Sequence, residues 1–431
     1  MGEERFRETT VFIELAKKQF EDEGHWDLER LEAGLRAALM KDGCAILASL
    51  LNQPGAMGKV QAQGNLHEIR SRKVHSILGS FELERGYYLK DNGEYYSPMD
   101  EALGLQDQYT PGLQKIMLWA GAMDGSFDEA EQTLKLFAGL DIPSSQIRRL
   151  TGTLAPRIRE WTTQRSAPKA MDPIPTFYIA YDGTGVPMRK EEVKGRRGKQ
   201  PDGSAKTREV KLGCVFTQHI KDDQGNPIRD LFSTSYVATL KDVDTLGTLI
   251  LCEARCRGLA FAKQTVVIGD GAHWIWNLTR THFPSAIQIL DFYHACEHLN
   301  LLAKAIYPEE DKVHQIRKKW RRLMENGNIL KVLDQARTLL PRNPTRRKQA
   351  QTEIKYFKTN VNRMRYKIFR QMCLFIGSGV VEAGCKSVVA KRTKQSGMLW
   401  SVPGVQDVLD VRCSILSHQY DNFWNYCRSA A

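Results

Sequence analysis

Apolar residues recur at spacings of three and four between Trp26 and Leu51 (Leu28, Leu31, Leu35, Ala38, Leu39), the period of an amphipathic helix, and residues 1–60 read as helical. The pattern then changes. Val74, Ile77, Leu78, Phe81, Leu83, Tyr87 and Tyr88 lie among turn signals such as Asn92-Gly93, which predicts a small β unit. Ser126 followed by Glu129 starts a helix as a capping box, Gly139 stops it, and Pro143-Ser144-Ser145 opens another running to about Trp161. That second helix carries Arg148, Arg149, Arg157 and Arg159, giving the outline of a helix-turn-helix, although a plain helical hairpin has the same pattern. Residues 163–175, rich in Pro, Ser and charge, read as a linker.

After Pro175 the apolar runs shorten to strand length: Phe177–Ala180, Glu209–Thr217, Leu231–Val237, Thr265–Ile268 and Ala286–Leu290. A helical pattern over Asp242–Leu259 separates the third from the fourth, and a short helix separates the fourth from the fifth. Three strands, helix, strand, helix, strand suits a mixed α/β sheet. Residues 296–372 return to helical patterning. The segmentation expected is therefore 1–71 N-terminal helical region, 72–110 small β unit, 111–165 helix-turn-helix-like segment, 176–295 first part of an α/β core, 296–372 helical insertion, and 373–425 second part of the core.

Charge sharpens this picture. The 431 residues carry 62 Lys and Arg against 50 Asp and Glu, a net +12, which favours polyanionic partners. From Lys312 to Arg370 there are eighteen Lys and Arg and three acids, with aromatics interleaved. A solvated helix face ordinarily mixes signs, so this segment is expected to contact phosphate backbone. The loop Arg189–Arg208 repeats the bias, with eight basic residues (Lys199 among them) against three acids. No apolar run is long enough to span a bilayer, and the charged N-terminus lacks a signal-peptide core. Nine scattered cysteines without a C-x-x-C pair read as reduced thiols, mostly in cores.

Two of the strand-like runs end in an Asp beside Gly: Tyr178-Ile179-Ala180-Tyr181-Asp182-Gly183 and Val266-Val267-Ile268-Gly269-Asp270-Gly271. A single strand-end Asp is usually a turn or cap. Two in one sheet bring two carboxylates to one edge, where the glycines leave room for a metal or phosphate. Glu382, in Gly377-Ser378-Gly379-Val380-Val381-Glu382-Ala383-Gly384-Cys385-Lys386, begins a helix of small residues able to approach that edge closely. Hard oxygen donors suit Mg²⁺ or Mn²⁺, and two such ions can serve an in-line phosphoryl displacement.

Three acids in the order Asp, Asp, Glu on this strand–helix succession resemble the DDE transposases of ribonuclease-H-like fold. The strings AYDGTGVPM, VVIGDGAHWIWN, DFYHACEHL, YFKTNVNRMRY, IGSGVVEAGCK and SGMLWS, within residues 100–425, are similar to the bacterial ISKra insertion-sequence transposases. The resemblance implies a ribonuclease-H-like mixed sheet with a large all-helical insertion, preceded by a mainly helical N-terminal region. It implies catalytic and metal-holding Asp182, Asp270 and Glu382 with two Mg²⁺ or Mn²⁺ ions. Asp291 and His294, in a (Cys/Asp)-x-x-His element, would support the site. DNA contacts are expected at Arg196, Arg197, Lys318, Lys319, Arg321, Arg322, Arg363, Arg365, Lys386, Lys391, Arg392 and Trp400, the last stacking on an unpaired base or buried as an ordinary core residue. The implied partners are double-stranded DNA (terminal repeats and target) and a second copy or more of the chain, in a nucleoid-associated, cytoplasmic, membrane-free setting. The implied reaction is hydrolysis at transposon ends followed by transfer of the freed 3′-hydroxyls to target DNA. One departure is that the place of the family's cysteine-rich ribbon reads Tyr87 to Tyr96 without cysteine, so zinc is not expected there.

Three other readings are open on sequence alone: a ribonuclease-H-like nuclease or resolvase, a non-catalytic transposase-derived DNA-binding protein, and a zinc peptidase. The last rests on His294-Ala295-Cys296-Glu297-His298, which fits H-x-x-E-H, but no third ligand is evident and the basic character does not suit a peptidase.

Overall fold

The computed structural model describes residues 6–53, 62–198 and 200–430. Residues 1–5 and 54–61 of the expected N-terminal helical region, and Lys199 of the basic loop, lie outside the described residues. The chain forms two compact units, Met1–Thr151 with Asp421–Ala431, and Gly152–Tyr420.

The first unit opens with an antiparallel pair of helices, α1 (Arg7–Glu23) and α2 (Leu28–Leu51). Asp27 caps α2 by accepting the Arg30 N–H. Asp42, inside α2, accepts the N–H groups of Glu8 and Thr9 at 2.9 and 2.8 Å and so satisfies orphan donors at the start of α1. Strands β1 (Asn65–Ser76), β2 (Gly79–Leu89) and β3 (Tyr95–Tyr96) make an antiparallel sheet that begins seven residues before the expected start at 72. Its core is Val74, Phe81, Leu83 and Met99 against Cys44 of α2. Helices α3 (Pro98–Ala102), α4 (Pro111–Met123) and α5 (Phe127–Thr133) follow. Ser126 accepts the Glu129 N–H at 2.9 Å, and the Glu129 carboxylate accepts the Gly125 N–H. A wide turn over Leu134–Ala138 ends at Gly139, whose φ of 68° favours a residue without Cβ. Helix α6 (Ser144–Gln164) starts here and continues into the second unit.

The second unit is mixed α/β. It adds β4 (Ile174–Pro187), α7 (Lys190–Val193), β5 (Thr207–Gln218), a two-residue hairpin β6 (Ile220–Lys221) and β7 (Pro227–Ile228), then β8 (Ser235–Thr239), α8 (Val243–Cys256), β9 (Ala262–Gly269), α9 (His273–His282) and β10 (Ile287–Leu290). Five of these strands form one sheet in the order β10-β9-β4-β5-β8. β10, β9 and β4 run parallel, and β5 runs antiparallel to both β4 and β8. The central strands are buried on both faces, hence their near-continuous apolar runs. The third strand differs from expectation. It begins at Ser235, not Leu231, because Leu231 (82% exposed) and Phe232 (φ 57°) lie in a solvent loop.

Helices α10 (Phe292–Ile306), α11 (Glu310–Glu325), α12 (Ile329–Thr338), α13 (Pro344–Asn360) and α14 (Tyr366–Gln371) form a helical layer around Trp320, Met324, Leu333 and Phe357. The chain returns to the sheet with α15 (Gly379–Gly384), α16 (Lys391–Thr393) and α17 (Val402–Leu416), and α18 (Tyr420–Ala430) ends it. Gln406 of α17 accepts the Leu240 N–H and donates to Ala238 O, while Ser417 accepts the Tyr236 N–H, so side chains cover the open edge of β8. No described helix is long and apolar enough to cross a membrane.

Candidate metal centre

The parallel register sets the site. Ala180 of β4 pairs with Ile268 of β9, and Gly269 pairs with Leu290 of β10, so the residues just beyond those pairs emerge at the same end of the sheet. They are Asp182, Asp270 and Asp291. The Asp291 N–H donates to Gly269 O at 2.8 Å, continuing the ladder one step. Asp291 is fully buried, and its Oδ1 accepts the His294 N–H at 2.6 Å as the N-cap of α10. That cap swings His294, one turn into the helix, towards the sheet end.

Glu382 reaches the same edge on α15. Gly384 favours this approach: a Cβ there would stand 2.6 Å from the Tyr236 ring and 3.0 Å from Leu212, so a larger residue would displace those side chains or the helix. Among the described residues, the group of three side chains able to converge on a metal ion is Asp291, His294 and Glu382, with ligand atoms all within 4.8 Å of one another.

Asp182 sits slightly apart from that group. Its Oδ1 accepts the Gly183 N–H at 2.7 Å. Burial raises its pKa above the ordinary carboxylate range; hydrogen bonds from the Cys385 thiol and the Gly183 N–H oppose the rise, the Asp270 charge adds to it, and His294 offsets it. Burial, with Asp182 beside it, pushes the Cys385 thiol up. Asp270 is held from behind: its Oδ1 accepts the Ala272 N–H at 2.8 Å and its carbonyl accepts the Tyr356 hydroxyl at 2.8 Å. Gly271, at φ 100°, turns the chain here, and a Cβ would strike Tyr356 at 2.8 Å.

The three expected catalytic acids therefore share a sheet edge, but Glu382 stands with Asp291 and His294, while Asp182 stands with Cys385 and in the field of Asp270. Among the described residues, none of Asp182, Asp270, Asp291 and Glu382 forms an ion pair with a Lys or Arg. Asp291, His294 and Glu382 together offer hard oxygens with one borderline nitrogen, a donor set that fits a divalent cation such as Mg²⁺ or Mn²⁺.

The peptidase motif is not assembled. His298 turns away from His294, its Nδ1 2.6 Å from the Glu353 carboxylate and its ring stacked on Tyr356 with centroids 3.6 Å apart. The candidate DNA contacts divide. Arg196 and Arg197 in the loop between β4 and β5, Lys318, Lys319, Arg321 and Arg322 on α11, and Arg365, Lys386 and Lys391 are exposed. Arg321 is paired with Glu325 at 3.0 Å. Arg363 is half-buried, 4.3 Å over the Trp276 ring and donating to Gln288. Arg392 and Trp400 are corrections. Arg392 is 1% exposed and lies over the Trp400 ring, and the buried Trp400 indole donates to Thr393 O at 3.1 Å, so both are interior residues. Arg159 of the expected recognition helix likewise turns inward, onto Asp407 and Asp410.

Sequence reasoning passed over Cys385, Ser378 and Tyr356. The available signal was that Ser378 and Cys385 lie in the string IGSGVVEAGCK around Glu382 and that Tyr356 opens the string YFKTNVNRMRY, although neither string assigns these side chains a role.

No protein-family model and no curated protein matches the chain. Among solved structures it is similar to the Drosophila P element transposase strand transfer complex, at 10% identity over 76% of this chain and 82% of that chain, with a TM-score of 0.26. A likeness that slight carries no weight for the fold or the chemistry.

Proposed function

We propose that the chain is a DDE transposase with a ribonuclease-H-like core, which binds transposon ends, hydrolyses phosphodiester bonds and joins 3′-hydroxyls to target DNA. The observation that carries the reading is a cation-demanding sheet edge in a polycationic protein. Asp182, in β4 just past its last pair with β9, lies at the same end of the sheet as Asp270 beyond β9 and Asp291 beyond β10; Glu382 stands beside Asp291 and His294, and no described Lys or Arg pairs with any of the four acids, in a chain of net charge +12. The mixed five-stranded sheet, with its second strand antiparallel and the Glu-bearing helix returning to the sheet after a run of helices, supports this reading of the core.

On this reading Asp182, Asp270 and Glu382 hold two Mg²⁺ or Mn²⁺ ions. Bound there, the ions would supply charge stabilisation to the attacking and leaving oxygens of an in-line displacement. Without a cation, burial first and the neighbouring Asp270 charge second raise the pKa of Asp182 above the ordinary carboxylate range. Asp291 fixes the backbone at the start of α10 and so orients His294 towards the scissile phosphate. Lys318, Lys319 and Arg322, exposed on α11, together with Lys386 and Lys391, hold the DNA backbone, and the assembly that pairs two ends is a homodimer or larger.

The test is nicking of supercoiled plasmid by the full chain with Mg²⁺ or Mn²⁺, alongside DNA retention. Asp182→Asn, Asp270→Asn and Glu382→Gln should abolish nicking and leave retention intact. Nicking that persists in all three variants would remove the carboxylates from the chemistry.

A further inference from the structure

Ser378 stands where a helix would ordinarily be capped, immediately before α15, yet its side chain caps nothing. An N-cap serine normally accepts an N–H from the first turn. Here the Ser378 Oγ instead donates to Glu382 Oε1 at 2.7 Å. The Ser378 backbone N–H donates to Asp291 Oδ2, whose other oxygen is occupied by the His294 N–H. One residue thus bonds two carboxylates from different elements of the fold, and it does so while 4% exposed.

The local chain is shaped for this. The Phe292 N–H donates to Ile376 O at 2.9 Å, drawing residues 376–378 against the start of α10. Gly377 lies so close that a Cβ would be 2.9 Å from the Tyr293 ring and 3.7 Å from Asp291 Oδ2. A side chain at 377 would therefore lift Ser378 off Asp291. Val381 and Glu382 both donate their N–H groups to Ser378 O, so the serine also starts the turn that carries the glutamate.

We infer that Ser378 is the positioning residue of the metal centre: it clamps Glu382 to Asp291, so that Oε1 is fixed by the hydroxyl and Oε2 is left directed to the cation. This rests on the reading of the carboxylate edge as a divalent-metal site. A half-exposed glutamate on a six-residue helix would otherwise sample several rotamers, and a metal would have to order it on binding. Loss of a hydrogen-bonding partner behind a metal ligand typically lowers metal affinity about 10–100-fold.

The experiment is Mn²⁺ titration of the full chain, read by loss of the free-Mn²⁺ paramagnetic resonance signal, on wild type, Ser378→Ala, Ser378→Thr, Glu382→Ala and the double variant Ser378→Ala/Glu382→Ala. Ser378→Ala keeps the backbone N–H to Asp291 and deletes only the bond to Glu382. It should weaken Mn²⁺ about 10–100-fold, with Ser378→Thr close to wild type and thermal midpoints little changed. The double variant should bind no more weakly than Glu382→Ala, because the hydroxyl acts only through that carboxylate. Equal Mn²⁺ affinity in wild type and Ser378→Ala would overturn the clamp and leave the metal site standing, as would additive losses in the double variant. Failure of wild type to bind Mn²⁺ would overturn the metal site and the clamp together.

Discussion

Replacing Asp182 by Asn should make the protein more stable without divalent cation and less stable with it. In the metal-free protein Asp182 is a half-buried anion in the field of Asp270, held by the Gly183 N–H, the Cys385 thiol and no Lys or Arg. The amide is nearly isosteric, keeps an oxygen for the Gly183 N–H, and loses both the like-charge repulsion and the burial cost of the charge. Relieving a functional strain of this kind commonly stabilises by about 0.5–2 kcal/mol. A ligand that binds only the folded state at 100 times its Kd adds about 2.7 kcal/mol. Wild type should gain that from Mn²⁺ and Asp182→Asn should not, so the order of stabilities reverses. The pH dependence follows from the direction of the shift. The folded-state pKa of Asp182 lies above the unfolded value, so its contribution to stability is fully present below the unfolded pKa and is lost as pH rises through the folded one. The advantage of Asn in EDTA should vanish near pH 4 and grow towards pH 8. Urea unfolding of both proteins, in EDTA and in Mn²⁺, at several pH values, measures all of this. An Asn variant less stable than wild type in EDTA at pH 8, or one that gains as much from Mn²⁺, refutes the reasoning.

Three other outcomes are expected. Arg159→Met strips its ion-pair partner from Asp410, a largely buried carboxyl whose pKa burial pushes up to about 7 against the pull of Arg159; it should cost about 3–5 kcal/mol at pH 8 and less as pH falls through 7, where Asp410 takes a proton, so a loss independent of pH would contradict the assignment. Trp400→Ala should cost about 3–5 kcal/mol of stability with DNA affinity of the folded fraction unchanged; a fall in affinity without a fall in stability would restore the tryptophan to the DNA surface. Combined Lys318→Ala, Lys319→Ala and Arg322→Ala should flatten the slope of log affinity against log salt by about 2.7, at about 0.9 for each phosphate no longer neutralised; an unchanged slope would take α11 off the DNA.

Much of the sheet was legible because its central strands are buried on both faces and their apolar runs are continuous. Phe177–Ala180, Glu209–Thr217 and Thr265–Ile268 all fall inside observed strands. Where burial is one-sided the same reasoning slipped. Leu231 and Phe232 are as apolar as any strand residue, but the local fold around Asp230, which accepts from Thr217 and His219, turns them outwards. Arg392 and Trp400 failed for the opposite reason: a cation beside an aromatic looks alike in sequence whether it faces DNA or is stacked in a core.

The sequence by itself determined where the apolar runs of the inner strands stop; Asp270 does lie just past β9, whereas β4 runs on beyond Asp182 to Pro187, paired with β5. It also determined that positive charge concentrates in one helical stretch. Only the tertiary structure decided which acids share a neighbourhood, because that depends on parallel register between strands some ninety residues apart and on Gly384 letting one helix settle on the sheet. Side-chain bonds such as Ser378 to Glu382 belong wholly to that second level: they form only after remote backbone segments have been brought within hydrogen-bond reach, and no local pattern encodes them.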